Sequence, residues 1–212
     1  MLRRLPTVTG TPRRTAIANF AAAASEVGAV GLLGRPYGHV LADDPIHADS
    51  WTGFLAASLD RAIAANREVI GGEIGNVVGL RSRALALLAD MPERPAKGLV
   101  HGDYFAGNVL LDDTLAVSGI VDFSGYTLVG DPLYDTLTAP IFLEMIEETT
   151  ADDLAWANAA ARRAHPDAFG RERFYRAHAA FWMADPAYAL PPYPRLYPWA
   201  IDNLRRLAAG AY

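Results

Sequence analysis

The feature that most constrains this chain is a break in its hydrophobic period between Gly98 and Asp135, over GLVHGDYFAGNVLLDDTLAVSGIVDFSGYTLVGDPLYD. On either side, apolar residues recur at helical spacing. Inside it they fall into short continuous runs separated by turn formers, the pattern of short strands. Leu99-Val100 predicts a very short strand, and the runs 109–111 and 117–121 predict a hairpin closed by Asp112-Asp113-Thr114. Polar residues sit at the ends of the runs. His101, Asp103 and Asn108 follow the first, Asp122 ends the third, and Asp131 and Asp135 follow in GDPLYD.

The rest predicts helices. Residues 15–27 form a small-residue helix, and the Gly-, Pro- and Asp-rich stretch 28–50 is a loop or connector. Ser50 is placed to cap a helix over 51–66, whose Trp51, Phe54, Leu55, Leu59 and Ile63 share one face. A second helix covers 77–88. After the motif region, Thr150 is placed to cap a helix over 152–164, Gly170 separates it from one over 171–183, and a last helix covers 199–209. There are no internal repeats. The expected fold is α+β, mainly α, a single domain over 1–212. Residues 1–50 give a helix and connector, 51–97 helices, 98–140 the polar motifs and 141–212 a helical remainder.

Composition removes several classes. The chain has 212 residues, 51% of them hydrophobic and 20% charged, enough for one domain with a core. A net charge of −5 argues against a general nucleic-acid surface. The absence of cysteine excludes disulfides, thiolate metal sites and a cysteine nucleophile. No uninterrupted apolar stretch is long enough to span a bilayer. Arg13-Arg14 before TAIANFAAAASEVGA superficially resembles a twin-arginine export signal. Glu26 and the weakly hydrophobic alanines favour an ordinary helix after a basic turn. A nucleotide-dependent enzyme is expected in the cytoplasm.

HxDxxxxN, followed by an apolar strand ending in Asp and then by Gly-Asp-Pro, has the order of a phosphotransferase site. Phosphoryl transfer to an alcohol needs positioning, charge neutralisation by magnesium and a carboxylate beside the hydroxyl. Asp103 is placed to accept or orient the hydroxyl proton. The Asn108 amide oxygen and the Asp122 carboxylate are hard oxygen ligands suited to magnesium. His101 is expected to hold the loop by hydrogen bonds, and Gly102 and Gly107 to allow its tight path.

HGDYFAGN, IVDFSG and GDPLYD together resemble the aminoglycoside phosphotransferase and choline kinase family, with a flavour of its hygromycin-kinase-like bacterial members. The resemblance is sharp over about 98–140. It implies a protein-kinase-like C-terminal lobe with ATP or GTP and magnesium as cofactors, and a small-molecule hydroxyl acceptor: an aminoglycoside, amino alcohol or sugar. It implies Asp103 as the catalytic carboxylate and Asn108 and Asp122 as magnesium and nucleotide ligands. Asp131 would be the acid that braces the catalytic loop through backbone hydrogen bonds, and Asp135 a structural residue of the following helix. Residues 2–10 look like a worn copy of the segment opening that lobe, with Pro6 where a His is usual.

The departure is upstream. The 97 residues before Gly98 read as helices, so the family's N-terminal β lobe, with its phosphate-covering loop and Lys, is expected to be absent. Lys97, the only Lys, lies too near His101 to serve. A late gene start, a lobe supplied by another chain, or degeneration would each account for this. Loss of the lobe would uncover apolar surface for a second copy or a partner lobe. The alternative reading is a catalytically inactive, pseudokinase-like binding module or truncated remnant. A metal-dependent hydrolase ranks lower for want of a His cluster.

Among further features, His39, Asp43, Asp44, His47 and Asp49 crowd one loop, where a solvated loop outweighs a metal site. Glu144, Glu147, Glu148 and Asp185 are candidates to pair with acceptor ammonium groups, against a default of solvated helix faces. Trp182, Tyr188, Tyr193, Tyr197 and Trp199 form either a sugar-stacking wall or, by preference, a packed tail.

Overall fold

A computed structural model describes residues 3–4, 8, 12–191 and 194–212. In chain order the elements are β1 (Arg3–Arg4), α1 (Pro12–Gly28), β2 (Tyr37–His39), β3 (His47–Ala48), α2 (Trp51–Glu73), α3 (Val77–Ala86) and β4 (Gly98–Val100). There follow β5 (Val109–Leu111), β6 (Val117–Ile120), β7 (Leu128–Gly130), α4 (Tyr134–Leu143), α5 (Ala151–Ala164), α6 (Glu172–Trp182) and α7 (Leu196–Ala209). The mixed, helix-rich class expected from the sequence is the class observed.

The strands form two small antiparallel sheets among the described residues, in the orders β1-β5-β6 and β3-β2-β7-β4. The β5–β6 hairpin is the expected one, closed where Asp112 Oδ1 accepts from the backbone N–H and hydroxyl of Thr114 and from the N–H of Ala116. The second sheet corrects the expected loop at 28–50, because β2 pairs with β3 and with β7, Gly38 opposite Val129. β4 pairs the other edge of β7, Leu99 opposite Val129.

Helix limits follow local chemistry. Ser50 caps α2, its Oγ accepting from Gly53 N–H at 3.1 Å. The expected end at Asn66 is instead a kink, with non-helical φ −112° and ψ 15°, and the helix resumes to Glu73. The Asn66 Nδ2 donates to the carbonyl of Phe181 at 2.9 Å, which ties the kink to α6. Thr150 and Asp153 form a reciprocal capping box at the start of α5.

Two clusters make the core. The larger joins α2, α3, α4, α6 and α7 around Trp51, Phe54, Leu59, Phe174 and Phe181. The smaller joins α1, α5 and the β5–β6 hairpin around Ile17, Phe20, Tyr104 and Leu111. α4 lies between them: Leu137 and Ile141 belong to the first, Ala139 and Leu143 to the second. That position explains why every residue of α4 is buried and why the helix lacks a polar face. Arg13, part of the twin-arginine pattern, lies within α1, its Nε 2.8 Å from Asp153 of α5. No described helix is long and apolar enough to cross a membrane.

Candidate active site

The loop between β4 and β5 is anchored through its two aromatic residues. Tyr104 enters the smaller core, stacks on Phe20 at 4.8 Å and donates its hydroxyl to the Phe20 carbonyl at 2.8 Å. Phe105 lies flat against Phe142 of α4, with centroids 4.4 Å apart. Pinned between α1 and α4, the intervening backbone has little freedom, which is what a preorganised site requires.

His101 is buried, with both ring nitrogens in contact with the loop and the following strand end. Its Nε2 lies 2.9 Å from the carbonyl of Val121, and its Nδ1 accepts from the N–H of Asp103 at 3.3 Å. One neutral tautomer, protonated on Nε2, satisfies both contacts. This ring connects the residue before Asp122 to Asp103 itself. Gly102 is constrained twice: its φ is +79°, and a Cβ there would stand 2.0 Å from the carbonyl oxygen of Tyr126. Gly107 meets no such limit.

The brace expected from Asp131 is made by Asp135. From the first turn of α4, Asp135 accepts the N–H of His101 at 2.7 Å and of Gly102 at 3.1 Å. Its burial raises its carboxyl above the ordinary aspartate range, against the lowering effect of those two bonds. Asp131 faces the other way. Its Oδ2 accepts from Arg171 and from the Tyr175 hydroxyl, each at 2.9 Å, and its Oδ1 from the N–H of Leu133 at 3.1 Å. Trp51 Nε1 donates to the same Tyr175 hydroxyl at 3.2 Å. Asp131 thus ties the β7–α4 turn to α2 and α6. One acid lies in the Gly-Asp-Pro turn and the other three residues after it, and only the backbone course decides which faces the loop. Arg171 and Tyr175 carried no sequence signal.

Asp103, Asn108 and Asp122 line one cleft of about 990 Å³. Asn108 Nδ2 donates to the carbonyl of Asp103 at 2.9 Å and to its Oδ2 at 3.3 Å. Burial raises the Asp103 carboxyl above its ordinary range; His101 and the Asn108 hydrogen bond oppose the rise, and the Asp122 charge adds to it. Asp122 is exposed and holds a left-handed φ of +66°, a conformation that costs a non-glycine residue about 1–3 kcal/mol. The residue before it is fixed, since Val121 N–H donates to the Asn108 carbonyl at 2.9 Å.

The four candidate acceptor carboxylates divide. Glu147 and Glu148 line the cleft. Glu144 is taken by a two-pronged pair with Arg176 at 2.6 and 2.7 Å and by Trp199 Nε1 at 2.9 Å. Asp185 caps the short turn Pro186–Ala189 through Ala187 N–H at 2.8 Å. The aromatic tail divides as well. Trp182 and Tyr188 line the cleft, Tyr197 and Trp199 hydrogen-bond to Glu73 and Glu144, and Tyr193 falls outside the described residues, as does most of 2–10. Lys97 donates to the carbonyl of Arg35 at 2.6 Å and lies over the Tyr37 ring.

The His39–His47 region is a hairpin. His39 Nδ1 accepts from Ile46 N–H at 3.0 Å, His47 Nε2 meets the His39 carbonyl at 2.9 Å, and Asp44 pairs with Arg61 at 3.2 Å. No group of three or more His, Cys, Asp or Glu side chains among the described residues is arranged to hold a metal.

The fold is that of known phosphotransferases. It is similar to a thermostable mutant of aminoglycoside phosphotransferase APH(4)-Ia in ternary complex with AMP-PNP and hygromycin B, with a TM-score of 0.72 and 17% identity over 99% of this chain and 69% of that one. It is also similar to aminoglycoside phosphotransferase APH(3'')-Id from Streptomyces rimosus ATCC10970, with a TM-score of 0.52 and 19% identity over 95% of this chain and 66% of that one. At these identities the likeness is one of fold. No curated protein matches the chain in sequence. The profile of the phosphotransferase enzyme family, APH, matches residues 41–175, and the chain belongs to that family.

Proposed function

We propose that this chain transfers a phosphoryl group from a magnesium-bound nucleoside triphosphate to the hydroxyl of a small molecule. The observation that carries the reading is the convergence of Asp103, Asn108 and Asp122 on one cleft, on a loop held by Asp135 and His101. Nucleotide complexes of the APH(4)-Ia fold support it.

The donor set fits magnesium. Asn108 commits its Nδ2 to Asp103, which leaves its Oδ1 for a ligand, and Asp122 presents an exposed carboxylate. Two hard oxygen donors, with no group of three or more His, Cys, Asp or Glu arranged for a metal among the described residues, suit an ion that keeps waters and shares substrate phosphates. When bound there, magnesium would neutralise charge developing on the phosphates. Asp103 would accept a hydrogen bond from the acceptor hydroxyl and take its proton as the new P–O bond forms and the bond from the γ-phosphorus to its bridging oxygen breaks, releasing the nucleoside diphosphate. Its desolvation favours that role, since a carboxylate shielded from water binds a proton more tightly.

The test is transfer of labelled γ-phosphate to a hydroxyl acceptor. Asp103→Ala should abolish transfer and leave magnesium-dependent nucleotide binding intact. Transfer that survives Asp103→Ala would contradict the assignment.

A further inference from the structure

Building on the phosphotransferase reading, we propose that the acceptor is a largely apolar alcohol, and that Ser58 and His178 form a neutral polar subsite in the cleft that receives a second polar group of the same molecule.

Much of the cleft wall is hydrocarbon and aromatic, including Phe54, Leu55, Phe142, Met145, Trp182 and Met183. A polycation would need several free carboxylates to replace its lost hydration. Two of the four acidic candidates are spent inside the protein, Glu144 on Arg176 and Asp185 on a turn. The cleft carboxylates beyond Asp103 and Asp122 are Asp43, Glu147 and Glu148, and the cations Arg61 and Arg195 line the same cleft. With Asp103 and Asp122 given to the nucleotide side, the three remaining carboxylates and two guanidiniums leave little net charge for a polycation, beside much apolar surface for a hydrophobic body.

Ser58 on α2 and His178 on α6 interrupt that surface. Ser58 Oγ lies 2.9 Å from His178 Nε2; the residues are 3% and 6% exposed, and both line the cleft. The His178 ring stacks on Phe174 at 5.8 Å, which fixes its plane. No hydrogen bond is made to its Nδ1 among the described residues, and that atom is not one of the side-chain atoms closed off from solvent without a partner, so it is open to a ligand from the cleft. Burial depresses the imidazole to a pKa of about 4, so near neutrality it presents a dipole and not a charge. An uncharged partner such as a second hydroxyl or a carbonyl would complete it, since the tautomer can adapt to a donor or an acceptor.

The test is a calorimetric titration of the whole chain with two neutral amphiphilic alcohols, octyl β-glucoside below its micellar concentration and menthol, and with the polycation kanamycin, each at low and high salt. The expected result is binding of a neutral alcohol, insensitive to salt and weakened about tenfold, the worth of one hydrogen bond, by His178→Phe and by Ser58→Ala. Two results would overturn the proposal: salt-sensitive kanamycin binding tighter than either alcohol, or alcohol binding absent or unchanged in both variants. Magnesium–ATP titrated into the same samples separates the levels. Nucleotide binding without alcohol binding overturns the acceptor class alone, whereas loss of both overturns the reading beneath it.

Discussion

Asn108 reaches back five residues to Asp103 and donates one amide nitrogen to both its carbonyl and its carboxylate, at 2.9 and 3.3 Å. The bond aims the carboxylate and turns the Asn108 oxygen outward. Asn108→Ala is therefore expected to weaken magnesium-dependent nucleotide binding and to lower turnover at saturating nucleotide, by about 10²-fold if the geometry of Asp103 loosens. Steady-state kinetics over a range of magnesium concentrations checks this; a change in KM for nucleotide with unchanged kcat would show that Asn108 serves the metal alone.

Asp135 is a positioning residue. Asn in its place has one oxygen for two N–H donors, and its NH2 would face the other donor. Asp135→Asn should lower kcat and leave the dissociation constant for magnesium–ATP near the parent value. Single-turnover rates set against calorimetric binding separate these effects, and Asp135→Glu should not restore the rate because the longer chain misplaces the carboxylate.

Two buried groups impose opposite pH dependences on stability. His178 is depressed from its ordinary 6.5 to about 4, so between those values the unfolded chain holds a proton that the native chain refuses. Stability from this group is present above pH 6.5 and is lost as pH falls through 4, by about 3 kcal/mol. Asp135 is raised above its ordinary 3.8, so its contribution is present below that value and is lost as pH rises through its folded pKa. Urea melts between pH 4 and 7 should show stability falling more steeply with pH in His178→Phe than in the parent. Parallel curves would contradict the burial of a neutral imidazole.

Glu144 belongs to the scaffold. It joins the end of α4 to Arg176 of α6 and Trp199 of α7. Glu144→Ala leaves a largely buried guanidinium with only Glu172 beside it. We expect a loss of about 2–3 kcal/mol in denaturant unfolding, at or below the low end for a fully buried pair because both side chains keep some contact with solvent. Acceptor affinity at a temperature where the variant is folded should be unchanged, whereas Glu147→Gln, in the cleft, should not alter stability.

What was legible in the sequence was what local chemistry decides. The β5–β6 hairpin has its turn written in Asp112-Asp113-Thr114, and the caps at Ser50 and Thr150 act within three residues. That Asp103, Asn108 and Asp122 share one cleft was legible because each sits at or near the end of a short strand run. β2, β3 and β7 were not, since two- and three-residue strands leave no alternation to read and their partners lie far away, as Gly38 does from Val129. The exchange of roles between Asp131 and Asp135 has the same origin. Spacing places both near the loop, but only the packing of α4 between two cores turns Asp135 toward it. Ser58 and His178 were invisible for a like reason, being two ordinary helix residues brought together by α2 against α6.

The most direct test of the central claim is a calorimetric titration of the purified chain with ATP, with and without magnesium, beside Asp122→Ala. The account predicts binding that requires magnesium and that Asp122→Ala loses while it stays folded. Binding indifferent to magnesium, or undiminished in Asp122→Ala, would contradict the placement of a nucleotide–metal site between Asn108 and Asp122.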